Sequence, residues 1–476
     1  MKIIIVGAGR VGASVAELLV SERNDITVVD MDPAVLAVLA ERLDLKTVAG
    51  NAIQPSVLRD AGAEDADLLI ATAAHDETNL VVCRIAKQRF NVPTRVVRLR
   101  SPEFVHYPEL TGAEGFCADY IISPEESVTQ AIVRLIEYPE ALQVIEFGAG
   151  KLALVAARAY EGGRLTGRTL MELGEHLTDV DARIVAIFRN ERSITPDGNT
   201  RIEAGDEVFC LAPKKDIRRV LVELRPKDKK VERIMIAGGG NIGLRLARIL
   251  EADYRGKYQV KIVDPIKKRC EYLAQELSHT LVLAGDATDE DLLGDEHVND
   301  MDLFIALTND DEDNIMASLL AKKMGARRVI ALINRRAYGE LMQGGQIDVA
   351  LSPAQSTIGE LLTYVRSGDV VAVHSLRRGA AEAIEVIAHG EAKASRVIGK
   401  RVDEIELFSD RDRGGNGKGS GVFVGAIVRG KGDGARVLMA HHDTVIEAED
   451  HVIVFVTNKR MIPKVEKLFQ VGAGFL

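Results

Sequence analysis

Two short glycine-rich stretches carry the residue types best suited to chemistry in this chain. The first is Gly7-Ala8-Gly9-Arg10-Val11-Gly12, and the second is Gly238-Gly239-Gly240-Asn241-Ile242-Gly243. Each leaves a β-branched run and opens an amphipathic one. In that setting the first glycine permits a tight turn. The second lacks the Cβ that would keep a pyrophosphate off the backbone, and the third lets the helix pack on the strand. The helix N-terminus then turns free N–H groups and a partial positive charge toward the phosphates. Asp30 follows Gly7, and Asp264 follows Gly238, at the distance of about 20 residues that suits a carboxylate for adenosine ribose hydroxyls. Met31, Asp32 and Pro33 come next, with no Arg to take a 2′-phosphate, so NAD(H) or another adenine nucleotide is favoured over NADP. The alternative is that the glycines serve strand–helix packing alone. It weighs more for the second stretch, since duplicated sites decay.

Other positions are expected at the carboxyl ends of strands, where such crevices open. They are Asn51, with Asp286 as its counterpart, then Thr72, Ala73 and Ala74, and finally Arg98 and Arg100. An Arg there suits a phosphate of the nucleotide or of a neighbouring subunit's ligand; a surface ion pair is the competing reading. Arg98 matches Leu332 and Arg100 matches Asn334, so the copies differ in cationic character. The acidic run TNDDEDN at 308–314 reads as a solvated helix start, with divalent-cation binding as the alternative. His441-His442-Asp443 has no partnered ligand in view, and no metal site is expected. GNGKGS, within 409–421, fails the spacing of a phosphate-binding loop.

A catalytic set is harder to find. A dehydrogenase needs an acid/base group against the nicotinamide. None of the nine Tyr is followed four residues later by Lys, and the ten His do not recur at matched positions. An NAD-dependent oxidoreductase therefore stays open with only the nucleotide fold behind it. A nucleotide-sensing regulatory subunit explains two ligand motifs without catalytic groups. It requires only that the nucleotide bind one conformation better than another.

The elements that position these residues occur twice. KIIIVGAGRVG is matched by RIMIAGGGNIG, VVD by IVD, VAGNA by LAGDA, LLIATAAHDETN by LFIALTNDDEDN and SPEESV by SPAQST, always in the same order. The repeat unit is about 230 residues. Each unit begins with short apolar runs alternating with helical patterns, the signature of a parallel sheet with helices on both faces. Right-handed crossovers make it a doubly wound, Rossmann-like α/β fold. Each ends in a smaller α+β module of short strands, turns and a terminal helix. The expected domains are 1–139, 140–225, 232–367 and 368–476. RPKDKK (225–230) joins the units, and 409–421 is a Gly-rich insertion confined to the second.

Composition narrows the class. At 476 residues and 51.8 kDa the chain suits several domains, and 46% hydrophobic residues suffice for their cores. With 61 Lys+Arg against 71 Asp+Glu it carries a formal charge of −10, a poor basis for binding nucleic acid. Four Cys without metal-ligand spacing read as reduced thiols of a cytosolic protein. No apolar stretch approaches the roughly 18 residues of a membrane span.

With the repeat and its motifs in hand, the chain resembles the RCK (or KTN) family, each RCK domain being followed by an RCK-C domain. The tandem form resembles the TrkA family of cytosolic regulatory subunits in Trk potassium-uptake systems. GAIVRG (425–430) and VEKLF (465–469) share the likeness. The resemblance implies NAD(H) and ATP or ADP as ligands that gate ion flux. It implies a homotetramer forming a ring of eight RCK units. That ring would dock on the cytoplasmic face of the inner membrane, on a potassium-transporting protein of the TrkH, TrkG or TrkI type. Carried over, nucleotide contacts fall on Gly7 to Val11, Asp30, Ala73, Ala74 and Arg98, and in the second copy on Gly238 to Ile242, Asp264, Thr308 and Asn309.

Overall fold

A computed structural model describes residues 1–21, 24–101, 103–172, 180–190, 192–194, 196–224, 230–252, 256–341, 345–365, 369–377, 380–391, 395–409 and 421–470. Most of the 225–230 joint and of the 409–421 insertion lies outside the described residues.

The first doubly wound domain runs β1 (Lys2–Val6), α1 (Arg10–Ser21), β2 (Asp25–Asp30), α2 (Pro33–Arg42), β3 (Lys46–Ala49), β4 (Leu68–Ala71), α3 (Asp76–Phe90), β5 (Thr94–Arg98), β6 (Tyr120–Ile122) and α4 (Pro124–Glu137). Its six strands lie in the order β3-β2-β1-β4-β5-β6, all parallel. Ile3, Ile4, Ile5, Leu68, Leu69 and Ile70 are buried throughout. A parallel sheet covered on both faces allows no polar alternation, so the central strands are unbroken apolar runs. The order reverses between β1 and β4, and the crevice opens beyond their carboxyl ends.

A five-stranded antiparallel module follows, with β7 (Ala141–Phe147), β8 (Leu152–Arg158), β9 (Arg183–Arg189), β10 (Arg192–Ile194), β11 (Glu207–Pro213) and α5 (Ile217–Leu224). The second doubly wound domain repeats the first. It has β12 (Arg233–Ala237), α6 (Asn241–Ala252), β13 (Gln259–Asp264), α7 (Lys267–Glu276), β14 (Leu281–Ala284), β15 (Leu303–Ala306), α8 (Asp311–Lys323), β16 (Val329–Leu332), β17 (Val349–Leu351) and α9 (Pro353–Val365). The order β14-β13-β12-β15-β16-β17 reproduces the first sheet strand for strand. The last module holds β18 (Val370–Leu376), β19 (Ala381–Ile387), β20 (Val422–Arg429), β21 (Arg436–Met439), β22 (His451–Val456) and α10 (Ile462–Phe469). Both small sheets share one arrangement, in which the fifth strand of the module lies between the second and third.

Residues pack as two compact units that gather like with like. One comprises 1–130 and 232–361, the other 131–231 and 362–476. In the second unit one core joins both small modules, with Phe209 and Leu211 of the first beside Phe423 and Phe455 of the second. Gly425 is needed there, because a Cβ would lie 2.4 Å from the Phe455 ring and 2.9 Å from Leu211. In the first unit, Glu126 of α4 pairs with Arg245 of α6 at 2.5 Å, and the Ser127 hydroxyl bonds the Glu360 carboxyl of α9.

Helix α3 shows how sequence sets local structure. Asp76 and Glu77 occupy its first turn, Lys87 and Arg89 its last, and Asn91 ends it at φ 53°. Carboxylates at the N-terminus and cations at the C-terminus oppose the helix dipole, and Asn tolerates the left-handed stop. Its counterpart α8 has Asp311, Glu312 and Asp313 first and Lys322 and Lys323 last.

Candidate functional site

Both glycine loops stand where a strand turns into a helix. Gly7 has φ +96°, and a Cβ on it would lie 2.8 Å from the Ala73 backbone. Gly12 lies under the same turn, with a hypothetical Cβ 1.9 Å from the Gly7 carbonyl oxygen. Gly238 (φ +105°) and Gly243 repeat this geometry, the latter at 2.1 Å from the Gly238 oxygen. These four glycines serve the turn and the strand–helix packing. Gly9 and Gly240 differ from them. No atom lies within 4 Å of a Cβ built on either, so each central glycine faces open space.

The acid at the end of the second strand is already engaged. Asp30 accepts from the Ala8 N–H at 2.6 Å and from the Asp32 N–H at 2.9 Å. Asp264 accepts from Gly239 at 2.8 Å and Ile266 at 2.9 Å. Each carboxylate oxygen can accept a second bond, so these contacts fix the loop and leave acceptor capacity for a ribose hydroxyl.

The crevices of the two copies open on one cavity of about 870 Å³. Copy one lines it with Gly7, Gly9, Arg10, Val11, Asp30, Met31, Asn51, Thr72, Ala73, Ala74, Arg98, Arg100 and Glu125, among others. Copy two contributes Gly240, Asn241, Ile242, Leu307, Thr308, Asn309, Leu332, Asn334 and Pro353. Of the expected site residues, Ala8, Gly12, Gly238, Gly239, Gly243, Asp264 and Asp286 are not in its wall. Asp286 is exposed and accepts from the Thr288 N–H and hydroxyl, which lower its pKa.

The contributions are unequal for a physical reason. In copy two Arg269 of α7 donates from Nε to the Gly239 carbonyl at 2.5 Å and lies over the Tyr272 ring at 5.0 Å. Leu273 fills the space beside Gly239, where a Cβ would meet it at 2.4 Å. Copy one has Leu39 at the position of Leu273, so the difference lies in Arg269, which covers the second loop beside Asp264, itself only 8% exposed. In copy one Val35 stands at the position of Arg269 and points outward, 39% exposed.

Two side chains that sequence reasoning missed hold the crevice floor. Asn79, fully buried, accepts from the Ala73 N–H at 2.8 Å and donates to the carbonyls of Ala73 and Arg98 at 3.1 and 3.0 Å. Asn314 does the same for Thr308 and Leu332. Asp76 accepts from the N–H groups of Arg100 and Ser101, and Asp311 from those of Asn334 and Arg335. The repeated D-x-x-N of HDETN and DDEDN was the available signal. Asp311 is therefore buried, not solvated as expected of the acidic run, because it anchors the loop after β16. Among the described residues no group of three or more His, Cys, Asp or Glu is placed to hold a metal ion.

Arg98 forms an ion pair, but not at the surface. It meets Glu125 at 3.2 Å, and the two side chains are 11% and 13% exposed. Burial lowers the Arg98 pKa, against the opposing pull of Glu125. Arg100 is more open and lies 3.9 Å from the same carboxylate.

Comparison with known proteins agrees with this arrangement. The TrkA-N domain family matches residues 3–124 and again 234–353, and the TrkA-C domain family matches 154–225. The chain is 52% identical to the Trk system potassium uptake protein TrkA of Halomonas elongata and 50% identical to that of Vibrio alginolyticus, with 100% of each chain covered. Among solved structures, the GsuK RCK domain aligns over 98% of this chain and 95% of its own, with a TM-score of 0.60 at 18% identity. A GsuK channel bound to NAD aligns over 98% and 79%, with a TM-score of 0.59 at 18% identity. At such identities the structures show a shared fold. Among the described residues no helix is long and apolar enough to cross a membrane. With full-length relatives at half identity and both doubly wound domains matched, the chain belongs to the TrkA family of Trk system potassium uptake proteins.

Proposed function

We infer that the cavity binds an adenine nucleotide, NAD(H), ATP or ADP, and that its occupancy regulates potassium uptake through a Trk-type membrane protein. The observation that carries this reading is the meeting of two glycine loops on one cavity with Arg10, Arg98 and Arg100 in its wall. A volume near 870 Å³ falls within the range of roughly 300–1,000 Å³ usual for small-molecule sites. The adenosine end belongs to copy one, where Asp30 and Met31 reach the cavity. The phosphates lie over Gly7, Gly9 and the N-terminus of α1, toward Arg98 and Arg100. Copy two closes the far wall with Asn241, Thr308 and Asn309. Ligand affinity becomes regulation when the two copies pack differently around an occupied and an empty cavity.

The family name supports a potassium-transport role, and an RCK-containing channel bound to NAD offers the same fold with a nucleotide in place. Action at the membrane, through a tetramer of four four-domain chains docked on the cytoplasmic face of a transporter, completes the proposal. Calorimetry of the full chain with NAD, NADH, ATP and ADP tests it. Saturable binding that Gly9→Asp abolishes is the expected result. Absence of binding by all four, or turnover of NADH at 340 nm with a metabolite panel, overturns it.

A further inference from the structure

Helices α4 and α9 meet inside the first unit, and one hydroxyl there has more acceptors than hydrogens. Ser127 Oγ of α4 lies 3.0 Å from the Ser123 carbonyl one turn back, and it also bonds the Glu360 carboxyl of α9. A serine has one hydrogen to donate. The second copy shows where that hydrogen belongs. Ser356, the counterpart of Ser127, donates to the Ser352 carbonyl at 3.3 Å, and Ala131 stands in copy one at the position of Glu360. Helical serines form this bond to the carbonyl four residues back of their own accord. With the Ser127 hydrogen on Ser123, the hydrogen shared with Glu360 has to come from the carboxyl.

The surroundings favour a neutral acid. Glu360 is partly buried, and loss of water raises its pKa above the ordinary 4.5; the Ser127 bond opposes this and the Glu126 carboxylate adds to it. The cation on α6, Arg245, is committed to Glu126 at 2.5 Å. On α9 itself the titratable residue one turn on is Tyr364, a phenol that is neutral over the range concerned.

We propose that Glu360 is a proton-binding site, a carboxylic acid that donates to Ser127 Oγ and makes the packing of the two doubly wound domains respond to pH. Below its pKa the acid ties α9 to α4. Above it the proton goes to solvent, and the carboxylate has to draw the Ser127 hydrogen away from Ser123. It also sets a second negative charge beside Glu126, so the contact loosens. Both helices line the shared cavity, α4 through Glu125 and α9 through Pro353. On the nucleotide reading above, on which this part rests, ligand affinity falls as pH rises through the Glu360 pKa, because the ligand favours the tied packing.

Two measurements on the full chain test this. Infrared spectra through a pH titration, without nucleotide, follow the carboxylic acid C=O band. Glu360→Gln keeps a donor for Ser127 but has no proton to lose. The unaltered protein minus this variant should show one such band, titrating at least about one pH unit above 4.5. In Glu126→Gln the band should titrate lower, because a neighbouring negative charge is gone. No difference band, a midpoint at 4.5, or a midpoint that Glu126→Gln leaves in place overturns the proposal. Calorimetry with NAD, whose pyrophosphate keeps its charge across the range, reads the coupling at pH 5.5 and pH 8. Affinity should fall about threefold or more in the unaltered chain and hold in Glu360→Gln. An equal fall in both overturns the link between proton and cavity. Should Glu360→Gln not fold, Glu360→Ala, which matches copy one, makes the same comparisons. Failure of the unaltered protein to bind NAD defeats the nucleotide reading alone, and the infrared result still decides the proton site.

Discussion

The Asn79 side-chain amide donates to the Arg98 carbonyl at 3.0 Å, tying the start of α3 to the last residue of β5. The same amide grips both polar groups of Ala73, so one buried residue sets the loop after β4 and the departure point of the Arg98 side chain. Asn79→Ala leaves one N–H and two carbonyls unpaired in the core. A loss of about 2–4 kcal/mol is expected, with weaker nucleotide binding. Urea unfolding of the full chain checks the first, and an unchanged midpoint would refute it.

The central and third glycines should separate binding from folding. A Cβ at Gly12 meets backbone at 1.9 Å, while a Cβ at Gly9 meets nothing within 4 Å. Gly12→Ala should destabilise by about 3 kcal/mol or more, as overpacking against an unyielding neighbour does. Gly9→Ala should stay within about 0.5 kcal/mol of the unaltered chain, yet bind nucleotide at least about tenfold more weakly. Thermal melts paired with calorimetry distinguish the two.

His374 should steepen the acid limb of stability. Burial, helped by nearby Arg134, lowers its pKa from 6.5 to about 4, and its ring meets Phe147 edge-on at 5.2 Å. Between those values the unfolded chain binds a proton that the native chain refuses, so stability falls as pH drops from 6.5 toward 4. The whole effect is on the order of 3 kcal/mol. In His374→Gln that part of the pH dependence should vanish. Unfolding midpoints at pH 7 and pH 4.5, compared between the two proteins, give the answer.

The thiols should be silent in the native state. All four cysteines are free and buried, and burial pushes Cys83 and Cys210 up to about 12. Thiolate is the reactive form, so a chromogenic disulfide reagent at pH 8 should label neither before unfolding and all four after it. Rapid native labelling of Cys83 or Cys210 would contradict their placement.

The sequence by itself determined the repeat and the doubly wound architecture, and its glycine spacing is what motivates the nucleotide reading. These are local matters. Alternating apolar periods fix strands and helices, and glycine spacing fixes a turn that only residues without a Cβ can make, as at Gly7 and Gly12. What only the tertiary structure decided is how the copies meet. Gly9 and Gly240 come to face one cavity because the two doubly wound domains pack together, a contact between segments about 230 residues apart that no local period records. The covering of the second loop by Arg269 depends on how α7 lies against Gly239. The burial of Arg98 with Glu125 depends on β5 and α4 closing over one another. Spacing along the chain could place Arg98 at a strand end. Only packing could remove its water, and removing water is what turns an ordinary surface charge into one that must find an anion.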